Sequence, residues 1–225
     1  MKRSIHILLP ACLGLGMVLG DGLPAGAAPA VELAQATSPR QQAKTLKKEG
    51  DDLLRAGKRK EAEAKYRQAA EVDKTWYGAW EAVGNLMFSS RRYDDAIEAF
   101  SRAVAVEPRY YTGLYNIAFA HRKARNYDKA VEYYGKYIQK KPDDPDAYYG
   151  LAAAYEATGK KKEAVDNYLL YADKEKRPSE RKYVIKARNK AEQLRKEMGA
   201  PPPKTAAVTP PKTAAVTPPK TAAVT

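Results

Sequence analysis

The chain has 225 residues, 44% of them hydrophobic and 30% charged, with a formal net charge of +13. That balance excludes a membrane-embedded bundle and also a chain too polar to bury a core. The basic excess is local. Residues 41–173 carry 24 Lys and Arg against 21 Asp and Glu, whereas residues 174–198 carry 10 against 4, so nucleic acid is not an expected partner of the body. Cys12 is the single cysteine, which rules out a disulfide within the chain.

In chain order, Lys2 and Arg3 precede an uncharged run from Ile5 to Leu19, and Ala25-Gly26-Ala27 then offers small residues at the spacing a signal peptidase reads. The apolar run is about 15 residues, short of the ~20 that span a bilayer. Residues 1–27 are therefore expected to be an export signal, with the periplasm or cell envelope as the destination. Leu9-Pro10-Ala11-Cys12 faintly resembles a lipoprotein box, but the apolar run continues past Cys12, which disfavours lipidation. Residues 28–38 read as an Ala-rich linker, with Ser38-Pro39 as cap and first residue of a helix.

From there a period of 34 organises the chain. Gly50, Gly84, Ala118 and Ala152 form one series, and Ala62, Ala96, Ala130 and Ala164 a second; Tyr66, Phe100, Tyr134 and Tyr168 form a third. Four units follow, 43–76, 77–110, 111–144 and 145–178, each with two helix-length apolar patterns broken at Gly57, Ser89-Ser90, Asn126 and Gly159. The small residues allow two helices to approach, the aromatics fill the space between one pair and the next, and Pro108 and Pro142 end second helices. Such a pair buries its apolar face only by stacking on another. The expected fold class is all-α, a solenoid of helix pairs.

This pattern resembles the tetratricopeptide-repeat family. The second unit carries it almost in full with Trp80, Val83-Gly84, Ala96, Phe100, Ala103 and Pro108, while Lys74 and Lys176 replace the proline in the first and fourth. The resemblance implies a right-handed α-solenoid of about four pairs, acting as a non-catalytic scaffold or adaptor that holds a partner peptide or helix in a concave groove lined by the first helices. Carried over, the groove positions hold Lys47, Asp51, Glu81, Asn85, Tyr115, Asn116, Phe119, Arg122, Tyr149, Ala153 and Glu156, with Phe88 near the rim. Asn85 and Asn116 offer a donor and an acceptor each to a peptide backbone, and Tyr115, Phe119 and Tyr149 form an aromatic stripe of the kind enriched at binding hot spots. The alternative is that a capping helix folds into the groove and makes Tyr149 core. The carboxylate-gripping subtype of the family is not expected, because its basic positions hold Glu81, Asp146 and Gly150.

Residues 179–198 read as an amphipathic capping helix with Ser179 as N-cap. Tyr183, Val184, Ala187, Ala191, Leu194 and Met198 face inward, and the basic residues spread outward. Arg181, Lys182, Arg188, Lys190, Arg195 and Lys196 are candidates for contact with an anionic polymer or lipid surface, a second hypothesis for function, and end-to-end stacking of copies is a third. Residues 199–225 repeat Pro-Pro-Lys-Thr-Ala-Ala-Val-Thr and are expected to be a disordered tail of polyproline character, either a spacer or a replication-slippage expansion. His121 is expected in the packing between paired helices. No catalytic, cofactor or metal motif is present, so no enzymatic role, cofactor or metal is expected.

Overall fold

The structure, a computed structural model, describes residues 38–199. The expected export signal, nearly all of the linker and the repeat tail lie outside the described residues. Those that are described form a stack of helices: α1 (Pro39–Arg55), α2 (Arg59–Val72), α3 (Tyr77–Ser89), α4 (Tyr93–Val106), α5 (Tyr111–Lys123), α6 (Tyr127–Lys140), α7 (Pro145–Ala157), α8 (Lys161–Lys174) and α9 (Arg181–Glu197). Ser38 caps α1 as expected. Its hydroxyl accepts from the Gln41 amide at 3.2 Å, with Pro39 in the first turn where its missing N–H is no loss.

The helices pack as four successive pairs, each also packed on the next. Within the first two pairs the approach is set by glycine. A Cβ on Gly50 would meet the Tyr66 ring at 2.6 Å, and one on Gly84 the Phe100 ring at 2.5 Å. Tyr66 and Phe100 therefore lie over the first helix of their own pair and also reach the next. One core cluster joins Tyr66, Val83, Phe100 and Ile117 across three successive units. α1 touches α3 and α5 touches α7, whereas the second helices make no comparable contact with one another. The stack thus curves toward its first helices, which places α5 and α7 on the concave side.

The turn inside each pair recurs at the same period, one residue after the expected Ser89-Ser90 break in the second unit and one before the expected Asn126 break in the third. Gly57, Arg91, Arg125 and Gly159 all take positive φ, at 77°, 62°, 64° and 74°. In a β-carbon residue this left-handed conformation is strained by about 1–2 kcal/mol, so the two arginines sit where the outer units use glycine.

A second recurring device closes three of the second helices. Asp73 accepts from the Thr75 amide at 2.9 Å, Glu107 from the Arg109 amide at 3.0 Å, and Glu175 from the Arg177 amide at 2.7 Å. Asp73 and Glu175 are buried, and each carries an arginine, Arg40 and Arg177 respectively. The Arg40 and Thr75 hydrogen bonds hold the Asp73 carboxyl below its ordinary range, and Arg177 does the same for Glu175.

The capping helix differs from expectation at its start. Residues Pro178–Glu180 form a 3-10 turn, α9 begins at Arg181, and the Ser179 hydroxyl donates to Glu180 at 3.2 Å instead of capping the helix. Pro178 holds Arg177 extended just before it, and the N-cap of α9 falls at Glu180, one residue beyond Ser179. The inward face is also narrower. Ala187, Ala191 and Leu194 are buried against α8 with Val184 beside them, while Tyr183 and Met198 are exposed.

Two outcomes are expected. Arg91→Gly and Arg125→Gly should each stabilise the chain by roughly 0.5 kcal/mol in urea denaturation, the relief of left-handed strain outweighing the added freedom of the unfolded chain. Asp73→Asn should lower stability at neutral pH by roughly 1–2 kcal/mol. Because the folded-state pKa of Asp73 is depressed, its contribution is full above the unfolded value of about 3.9 and is lost as pH falls through the folded one. The deficit of the variant should therefore shrink steadily below about pH 4.

Candidate functional site: an aromatic cleft on the concave side

A cleft of about 410 Å³ opens where α5, α7 and the start of the cap converge. Tyr115, Phe119 and Arg122 come from α5, Asp146, Tyr149 and Gly150 from α7, Tyr171 from α8, and Glu180 and Tyr183 from the turn into α9. The 3.6-residue helical period puts Tyr115, Phe119 and Arg122 on one face of α5. Phe119 stacks on Tyr115 with ring centres 6.2 Å apart and on Phe88 of α3 at 5.0 Å, so the aromatic surface continues into the preceding unit.

Tyr115 and Tyr149 are half-buried and anchored from behind. Tyr115 stands edge-on to Tyr134 and Tyr137 at 5.6 and 5.5 Å, and Tyr149 edge-on to Tyr168 and Tyr171 at 5.5 and 5.1 Å. Tyr149 is half-buried at the edge of the cluster that holds Ala187, Ala191 and Leu194; α9 packs on α8, with Glu180 and Tyr183 at the edge of the cleft.

Arg122 lies over the Phe119 ring at 4.9 Å, and its Nε is buried without a hydrogen-bond partner. Nearby, the fully buried Tyr134 hydroxyl is also unpartnered; burial pushes its pKa up and the Arg122 charge opposes this. Gly150 makes room for that ring, because a Cβ there would lie 2.5 Å from the Tyr134 hydroxyl. Opposite Arg122 the wall is acidic. Asp146 is paired with Arg177 at 2.9 Å and Glu180 accepts from Ser179. The Tyr171 phenol is pushed up to about 12 by burial and by the carboxylates of Glu175, Asp146 and Glu180.

The remaining expected groove residues divide. Asn85 is exposed on α3 and does not line the cleft. Asn116 has one amide N–H engaged between units: it donates to the Tyr110 hydroxyl at 3.3 Å, and Tyr110 in turn donates to Glu81 at 2.6 Å. Asp51 and Glu156 likewise accept from Tyr66 and Tyr168, each at 2.7 Å. Tyr171, Glu180 and Tyr183 were not expected here. Their approach depends on how the fourth pair meets α9, which no single-helix pattern records. His121 packs against Tyr133 at 5.6 Å between α5 and α6, and burial lowers its pKa, which keeps it neutral in the helix interface.

Of the anionic-surface candidates, Lys190 is corrected. It is half-buried and paired with Glu156 at 2.6 Å, tying α9 to α7. Arg188 reaches Asp173 at 3.7 Å and Lys196 reaches Glu192 at 3.5 Å. Lys182 lies over Tyr183 at 4.8 Å, Arg181 is exposed and Arg195 half-buried. The outward charge is thus partly consumed in holding the cap. Among the described residues no group of side chains is arranged to hold a metal, and no helix is long and apolar enough to cross a membrane.

Comparison with known proteins agrees with this architecture. The tetratricopeptide-repeat family profile matches residues 47–107, 84–145 and 115–180, together well over half of the chain. No curated protein sequence matches it. Among solved structures, the crystal structure of MamA protein is 29% identical, with a TM-score of 0.56, covering 64% of this chain and 78% of its own. MamA 41-end from Desulfovibrio magneticus RS-1 is 19% identical, with a TM-score of 0.58, covering 71% and 98%. A chain of the Naa15/Naa10 structure bound to HypK-THB is 21% identical, with a TM-score of 0.50, over 72% of this chain and 24% of its own.

The seat of Tyr134 gives a paired prediction. Gly150→Ala should destabilise the protein by roughly 1–2 kcal/mol, since the overpacking against a fully buried ring exceeds the gain in helix propensity. Gly135→Ala, in α6 with open space around its Cβ direction, should instead stabilise by roughly 0.5–1 kcal/mol. Chemical denaturation of both variants checks the contrast.

Proposed function

Since the chain belongs to the tetratricopeptide-repeat family, we propose that it is a non-catalytic protein-interaction scaffold whose concave cleft holds an extended peptide or helix of a protein partner. The observation that carries this reading is the aromatic surface of Phe88, Phe119, Tyr115 and Tyr149 over consecutive first helices, with the Arg122 guanidinium lying over the Phe119 ring within it. Aromatic planes fixed from behind present large contact area at little entropic loss. The sequence of residues 1–27 supports an exported scaffold working in the periplasm or cell envelope. An anionic surface as the principal ligand is less favoured by the ion pairs of Arg188, Lys190 and Lys196 within the fold.

The test uses residues whose removal leaves the ring packing behind the cleft intact. Tyr115 and Tyr149 brace Tyr134, Tyr137, Tyr168 and Tyr171, so Phe119→Ala with Arg122→Ala is the cleaner variant. In affinity capture from a cell-envelope extract, a defined protein retained by the native chain should fall at least about tenfold with that variant, at least about 1.4 kcal/mol of binding, while its helicity and melting behaviour stay close to native. Undiminished capture would overturn the assignment of the cleft.

A further inference from the structure

On the reading that the concave cleft is a peptide site, we propose that its resident occupant is the chain's own Pro-Pro-Lys tail, folded back from the end of α9. Three properties of the cleft fit that segment. Proline residues present carbonyl acceptors and rings but no amide donor, so a proline-rich segment asks its groove for aromatic planes and hydrogen-bond donors. Tyr115, Phe119, Tyr149 and the exposed Tyr183 supply the planes, and the half-buried Arg122 guanidinium over the Phe119 ring supplies N–H donors at the cleft wall.

Charge supplies the second match. The wall toward α9 carries Glu180 and also Asp146, the latter paired with Arg177. The tail carries Lys204, Lys212 and Lys220, each directly after a Pro-Pro step, and no acidic residue. A proline ring seated on a tyrosine would therefore set its lysine about 3 Å further along the strand, toward the acidic edge.

Reach supplies the third. α9 contains 17 residues, so it is about 26 Å long, and Gly199 ends it in a left-handed turn with φ 66°. A tail running back along α9 in polyproline form advances about 3.1 Å per residue. Lys204 is then too near to return to Glu180, whereas the step at Pro210-Pro211-Lys212 and the one at Pro218-Pro219-Lys220 both reach it. Attachment to the same chain gives these steps an effective concentration in the millimolar range, so even weak docking fills the cleft and an outside partner must compete with it.

Zero-length carbodiimide cross-linking of the full chain at low concentration, followed by peptide mass spectrometry, tests this directly. The expected result is Lys212 and Lys220 joined to Asp146 or Glu180 within monomers, with Lys204 absent from those links and the yield falling at least about fivefold in Tyr183→Ala, an exposed position. Tail lysines spread over carboxylates of the whole array without preference would overturn it. So would links found only in dimers, which would assign the cleft to the tail of a second copy. If the tail links fail while partner capture still depends on Phe119 and Arg122, the peptide cleft stands and only its resident occupant is rejected; loss of both dependences rejects the cleft itself.

Discussion

Each early helix pair closes because an aromatic ring occupies the volume that a β-carbon would take on the facing helix. Tyr66 lies in the space left by Gly50 and Phe100 in that left by Gly84. A short interaxial distance brings many atoms into van der Waals contact at once, each worth little and all together a great deal. Because the same ring also touches the next pair, closure within a unit and stacking between units depend on one packing event. The remaining features of the array follow from repeating it every 34 residues: successive core clusters along the stack, a fixed curvature, and first helices brought to the inner side.

The third and fourth pairs modify this arrangement, and the cleft lies at the modification. Ala118 and Ala152 stand where the first two units have glycine, and the space for the Tyr134 ring is provided by Gly150 of the following unit. Tyr134 is thereby drawn to the junction of α5, α6 and α7, where its hydroxyl and the Arg122 Nε remain unpartnered. Buried polar groups without partners are few in native proteins and mark places where something other than stability shaped the packing. Tyr115 and Tyr149 rest on this junction and on the Tyr168 and Tyr171 rings behind it, so the surface facing the cleft is rigid before any ligand arrives.

The cap completes the site without filling it. Ala187, Ala191 and Leu194 seal the last core cluster, and Lys190 fastens α9 to Glu156 on α7. The 3-10 turn at Pro178–Glu180 and the first turn of α9 bring Glu180 and Tyr183 to the edge of the cleft. The basic character of α9 thus has two uses in the fold: part of it neutralises carboxylates of the array, and the rest solvates its outer end.

The sequence by itself determined the periodic parts: four helix pairs, Ser38-Pro39 as the first cap, the glycine and alanine series at the close approach, and the aromatic stripe of Tyr115, Phe119 and Tyr149. These were legible because each is written in residue type at a fixed spacing, and helical geometry turns spacing into a face. Only the tertiary structure decided which polar groups remain available. Asn116 and Lys190 read from the sequence as available, yet Asn116 bonds Tyr110, 6 residues away, and Lys190 bonds Glu156, 34 residues away. Neither the 3-10 turn at Pro178 nor the meeting of Tyr171, Glu180 and Tyr183 at one cleft is written in a local pattern. Each depends on where neighbouring helices place their ends, and that placement is settled by packing, through contacts that no single element contains.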